Sequence, residues 1–152
     1  MNSTPASLAD FLPYLLSITS NAVSDRIADE YRAHFGLKIP EWRVMAVLGD
    51  KGTATQRALV EATRMDKVAV NRACRGLEER GLLTRRPNNA DGRSHHLGLT
   101  PAGQKVHGAI MPMALEMEGR LFSALSIAER DLFKDFLQRL RAQAEMTTGT
   151  KS

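Results

Sequence analysis

The sequence predicts a mainly α protein with a small β-hairpin: a winged helix-turn-helix flanked by N- and C-terminal dimerisation helices. Three observations carry that prediction. Val70, Ala73, Cys74 and Leu77 recur at i, i+3, i+4 and i+7 between a capping Asp66 and a terminating Gly81, which makes one amphipathic helix. Immediately after it, turn-forming residues from Pro87 to Gly92 separate two stretches that read as strands, a hairpin whose tip carries Asp91-Gly92-Arg93. Finally, the helical stretches at both ends of the chain are more apolar than one small core requires.

Taken in order, the first helix is expected over residues 8–34, with Leu8, Leu12, Leu15, Ala22 and Ile27 supplying an apolar face. Pro13 lies in its first turns, where a missing N–H costs least, and Gly36 closes it. Pro40 opens a second helix of about eleven residues that ends near Gly49 and Gly52. Thr55 caps a short third helix through Leu59, Val60 and Ala62. With the helix over residues 67–80 it forms the helix-turn-helix pair, the second member carrying contacts to bases. Leu82, Leu83 and Thr84 lead into Arg85-Arg86, and residues 94–99 return as the second strand of a two-stranded wing. Thr100-Pro101 supplies an N-cap and an N1 proline for a fifth helix, with Val106, Ile110, Ala114, Met117, Leu121 and Leu125 at intervals of three and four and a kink expected at Pro112. Ser126 and Glu129 make a capping box for a sixth, whose Leu132, Phe133, Phe136, Leu137 and Leu140 form a broad apolar face.

The apolar stripe of the 67–80 helix turns Lys67, Asn71, Arg72 and Arg75 outward. Arginine bonds bidentately to guanine O6 and N7, and asparagine to adenine N6 and N7, so this face suits a major groove. Arg93 is placed to enter a minor groove, with Asp91 holding its guanidinium by a charge-assisted hydrogen bond. A solvated helix face and an ordinary Asp-Gly turn would show similar residues, and the distribution of charge decides between the readings. From Arg64 to His96 there are eight Lys or Arg and four Asp or Glu, a surplus equal to the formal net charge of +4 for all 152 residues. Such a local excess is the footprint of a phosphate-tracking surface.

Other classes find little support. No apolar run reaches membrane-span length and the N-terminus lacks the regions of a secretory signal, so a cytoplasmic protein with no membrane contact is expected. A single cysteine excludes an intramolecular disulfide and fits a reducing compartment. His34, His95, His96 and His107 lack metal-ligand spacing, and no phosphate loop or nucleophile motif is present, so neither enzyme, metal nor cofactor is expected. The alternative from another class is a winged helix that binds protein, which does not require the basic surplus to sit on the helix and wing. The apolar terminal helices imply a two-fold dimer, which sets two reading helices about 34–36 Å apart and calls for double-stranded DNA with a pseudo-palindromic operator.

In order and spacing, five pieces resemble the MarR family of transcriptional regulators over roughly residues 8 to 142: Trp42-Arg43-Val44-Met45-Ala46-Val47-Leu48, Met65-Asp66-Lys67-Val68-Ala69-Val70-Asn71-Arg72, Leu77-Glu78-Glu79-Arg80-Gly81-Leu82-Leu83, Asp91-Gly92-Arg93 and Leu99-Thr100-Pro101-Ala102-Gly103. The resemblance implies a DNA-binding domain over 37–100, a helical dimerisation region over 8–36 and 101–145, and a homodimeric repressor or activator whose DNA affinity falls when a small aromatic acid or phenol binds. By position, Lys67, Val68, Asn71, Arg72 and Arg75 become the major-groove and phosphate candidates, with Asp91 and Arg93 the wing pair. Asn71 departs from the small hydroxyl residue that many members carry before the recognition-helix arginine, which is expected to alter the preferred bases. The family's usual ligand location makes Tyr14, Ser17, Asn21, Trp42, Arg43 and His107 the effector candidates, although Trp42 better suits a core, and Arg43 also suits a bridge between carboxylates and His107 a helix surface. Some relatives sense oxidants through a cysteine near the N-terminal helix, whereas Cys74 shares the buried stripe and is expected to be a small core residue.

Overall fold

Helix ends follow local chemistry, as a computed structural model describing residues 7–87 and 95–147 shows. A 3-10 turn, Leu8–Asp10, precedes helix α1, Leu12–Phe35, and does not merge with it because Phe11 is extended, at ψ 109°. Pro13 occupies the first turn of α1, and Gly36 ends it in the left-handed region at φ 62°. Helix α2, Ile39–Lys51, ends at Gly52. The expected stop at Gly49 is corrected: Gly49 lies inside α2, where a side chain would crowd the His107 imidazole, 2.6 Å from its Cε1 and 2.8 Å from its Cδ2. Helix α3, Gln56–Thr63, is capped by Thr55 Oγ1, which accepts the Ala58 N–H at 3.1 Å.

Helix α4, Lys67–Glu79, begins where Asp66 Oδ1 accepts the Ala69 N–H at 2.7 Å. It ends where the Gly81 N–H bonds Glu78 O and the Leu82 N–H bonds Leu77 O. Those two bonds are a Schellman closure, and the left-handed Gly81, φ 71°, makes it possible. In the turn before α4, Thr63 Oγ1 donates to Leu59 O at 2.6 Å and accepts the Met65 N–H at 3.3 Å.

Strand β1, Thr53–Thr55, was not anticipated; β2 spans Leu83–Pro87 and β3 His95–Leu99. The wing therefore belongs to a three-stranded antiparallel sheet of order β1-β3-β2, not a two-stranded one, with Leu97 facing Ala54 on one side and Arg85 on the other. Helix α5, Pro101–Leu121, starts where Thr100 Oγ1 accepts the Gly103 N–H and donates to Gly81 O; it contains Pro112 and stops short of Leu125. Helix α6, Ile127–Thr147, opens with the expected reciprocal box: the Ser126 N–H donates to Glu129 Oε1 and Ser126 Oγ accepts the Glu129 N–H. Hydrogen bonding from the Ser126 backbone N–H, and then from the Ser126 side chain, holds the Glu129 carboxyl below its usual pKa.

The chain falls into two compact units, Met1–Met113 and Ala114–Ser152. The first is organised around Val44, Met45, Leu48, Leu59, Val70, Cys74, Leu77 and Leu97, each 1% exposed or less. The predicted α4 stripe is thus fully inside, whereas the apolar residues at and before the start of α1 are not: Leu8, Phe11 and Leu12 are exposed, and Tyr31 is the only buried residue of α1. In the second unit the apolar face of α6 is also uncovered, with Leu132, Phe136 and Leu140 all more than half exposed.

Candidate nucleic-acid interface

Burying Val70, Ala73, Cys74 and Leu77 rotates a second stripe of α4 away from the core, with Val68, Asn71, Arg72 and Arg75 at i, i+3, i+4 and i+7. Val68, Arg72 and Arg75 are exposed, Asn71 is half-buried, and Lys67 lies exposed at the start of the helix. These five predicted residues therefore share one end and one side of α4. A cleft of about 550 Å³ separates this stripe from the N-terminus of α2, lined by Lys38 and Pro40 on one wall, Arg72 and Arg75 on the other, and Glu41.

Glu41 was missed in the sequence. Its Oε1 accepts the Lys38 N–H at 2.9 Å, while its Oε2 sits where a side chain on Gly76 would come within 2.5 Å. The carboxylate thus caps α2 and lies against the glycine in the middle of α4, allowing the two helices to approach closely. The legible signals were an acid at the third helical position and a glycine interrupting a helical pattern.

Not every cation of the basic segment faces outward. Arg85 on β2 donates from Nε at 2.8 Å and from Nη2 at 2.7 Å to Glu78 Oε1 on α4, fastening the wing strand to that helix. Both side chains are about a third exposed, so this pair matters more for geometry than for stability. Arg80 donates to Phe35 O at 2.8 Å and Gly36 O at 3.2 Å, meeting the carbonyls at the end of α1 where a cation is favoured. On the wing, Arg86 stays exposed opposite His96. Asp91 and Arg93, the predicted wing pair, lie outside the described residues.

Cys74 is fully buried, and burial pushes its thiol up to about 11; Arg85 nearby pulls against that shift and Glu78 adds to it. A thiol so held is not the thiolate that reacts with oxidants.

Of the effector candidates, Trp42 and His107 come together, with ring centroids 6.3 Å apart and planes 28° from parallel. Tyr31, absent from the candidates, completes the cluster at 5.3 Å from Trp42. Burial raises the pKa of its hydroxyl, opposed by a hydrogen bond from Trp42. The missing side chain at Gly49 leaves the notch that His107 fills. Trp42 is half-buried and so belongs neither wholly to the core nor to the surface. Tyr14, Ser17 and Asn21 lie exposed on α1, as Arg43 does on α2, and no described ring, hydrogen-bond or ionic contact joins them to the cluster.

Among the described residues, no group of three or more His, Cys, Asp or Glu is placed to hold a metal ion, and no helix is long and apolar enough to cross a membrane. A family model described as MarR family matches residues 35–94. The transcriptional regulator HosA of Escherichia coli is 31% identical over 101 residues, which span 66% of this chain and 75% of HosA. Among solved structures, Bordetella bronchiseptica BpsR, studied for regulation of its DNA binding by 6-hydroxynicotinic acid, superposes with a TM-score of 0.84 at 24% identity, covering 91% of this chain and 98% of that one. Staphylococcus aureus MepR in complex with DNA gives 0.80 at 25% identity, covering 88% of this chain and 98% of that one.

Proposed function

The chain belongs to the MarR family of transcriptional regulators, and from that premise we propose that it is a homodimeric, sequence-specific repressor released from its operator by a small aromatic acid or phenol. The observation that carries the DNA reading is the outward stripe of α4, where cations and an amide stand clear of the core on the helix expected to enter the major groove. Arg93, steadied by Asp91, is assigned to the minor groove. The uncovered apolar faces of α1 and α6 each call for a protein partner, and a second copy of this chain supplies one.

For the effector, the Trp42–His107 pair offers a flat apolar surface beside an imidazole, with Arg43 on the same helix as Trp42. Such a set suits a carboxylate at one end of an aromatic ring. BpsR, whose DNA binding is regulated by 6-hydroxynicotinic acid, is a precedent for that ligand class.

The test is selection of bound sites from random duplexes, followed by affinity measurements across a salt series. We expect a pseudo-palindromic site and an affinity that falls steeply with salt. Binding to no duplex even in dilute buffer refutes the DNA reading. Candidate aromatic acids titrated against operator-bound protein test the effector, and release by none of them overturns that part.

A further inference from the structure

Val68 is 66% exposed in the first turn of α4, on the stripe that also carries Asn71, Arg72 and Arg75. Nothing in the helix itself explains it. A β-branched residue is a mediocre helix former, and the first turn favours acids, yet α4 has none there. The core does not use it either, because the opposite stripe is already complete with Val70, Ala73, Cys74 and Leu77. Its neighbours are cationic: Lys67 precedes it, and Arg72 follows one turn later. This setting suits a polyanion with a small apolar feature on its surface, and in the major groove that feature is the C5-methyl group of thymine.

We propose that Val68 reads a thymine methyl in each half-site, close to the bases addressed by Asn71 and Arg72. This rests on the DNA reading above and adds a base identity to it. The residues at the start of a recognition helix are those that reach base edges, and a valine there makes apolar contact without hydrogen-bonding demands. Discrimination is then by shape and methyl burial, leaving hydrogen-bond readout to the amide and guanidinium beside it.

The experiment takes the selected duplex and replaces its thymines one at a time by deoxyuridine, which removes the methyl and keeps every hydrogen-bonding group. Affinity is read by fluorescence anisotropy at fixed salt. One thymine position per half-site is expected to lose about fourfold on demethylation, the factor expected for burial of one carbon. In Val68→Ala, an outward-facing change that leaves the core intact, the same replacement is expected to cost nothing further. If no thymine is sensitive, or if Val68→Ala keeps the full penalty, the assignment is overturned. Failure of the unmodified duplexes to bind brings down the DNA reading itself, and that failure appears before any base is changed.

Discussion

Replacing Gly103 by alanine probes how the first turn of α5 is seated. A Cβ there would overlap the Leu82 carbonyl oxygen, lie 3.0 Å from its carbon and 3.3 Å from Leu99 Cβ. That carbonyl accepts the Thr100 N–H at 3.1 Å, and Thr100 Oγ1 bonds both Gly103 N–H and Gly81 O. The obstruction is backbone, so relief requires the helix start to move and strains all three hydrogen bonds. Each contributes about 1 kcal/mol net. Overpacking adds about 1–3 kcal/mol, and alanine returns about 1 kcal/mol of helix propensity. The expected net loss is about 3 kcal/mol, or roughly 10 °C in Tm for a chain of this size. Gly108 in the same helix is the control, since a Cβ there meets nothing within 4 Å and Gly108→Ala should stabilise by up to about 1 kcal/mol. Urea unfolding at one fixed protein concentration measures both. Equal stability of Gly103→Ala and wild type, or equal losses in the two variants, would refute the reasoning.

Arg93→Ala is expected to weaken operator binding about tenfold or more without unfolding the protein; unchanged affinity in a gel-shift titration removes the wing assignment. Cys74 should resist alkylation near neutral pH until the chain is unfolded in urea. Its thiol pKa rises from 9.0 to about 11 in the fold, so the unfolded chain loses that proton first and stability falls as pH climbs through this interval. Cys74→Ala should lack that component of the decline, and an identical alkaline profile in both proteins counts against the burial argument. Gly49→Ala is expected to push His107 off Trp42, and because Trp42 is the only tryptophan its fluorescence emission reports the change directly. An unaltered emission spectrum would show that the notch is not needed.

Features governed by neighbours in sequence were legible. The α4 stripe, the Asp66 cap, the Gly81 closure and the Ser126–Glu129 box are each decided within a few residues, where periodicity and capping chemistry act. What escaped depends on distant partners. Strand β1 is only three residues long and exists by pairing with β3 some forty positions later. Gly49 resembles a helix stop locally, yet the space it leaves is filled by His107 from α5. The charge surplus counted Arg80 and Arg85 toward a basic face, whereas Phe35, Gly36 and Glu78 engage them. Of the effector candidates, Trp42 and His107 meet, whereas Tyr31 went unnoticed because a tyrosine on an amphipathic helix carries no local sign of what it packs against.

Arg80 gears two helices together. Its guanidinium grips the tail of α1 from a position one residue beyond α4, and hydrogen bonds of this length tolerate only a fraction of an ångström of slippage before they weaken. Any separation of the C-terminus of α1 from the residue that follows α4 therefore costs both of these bonds.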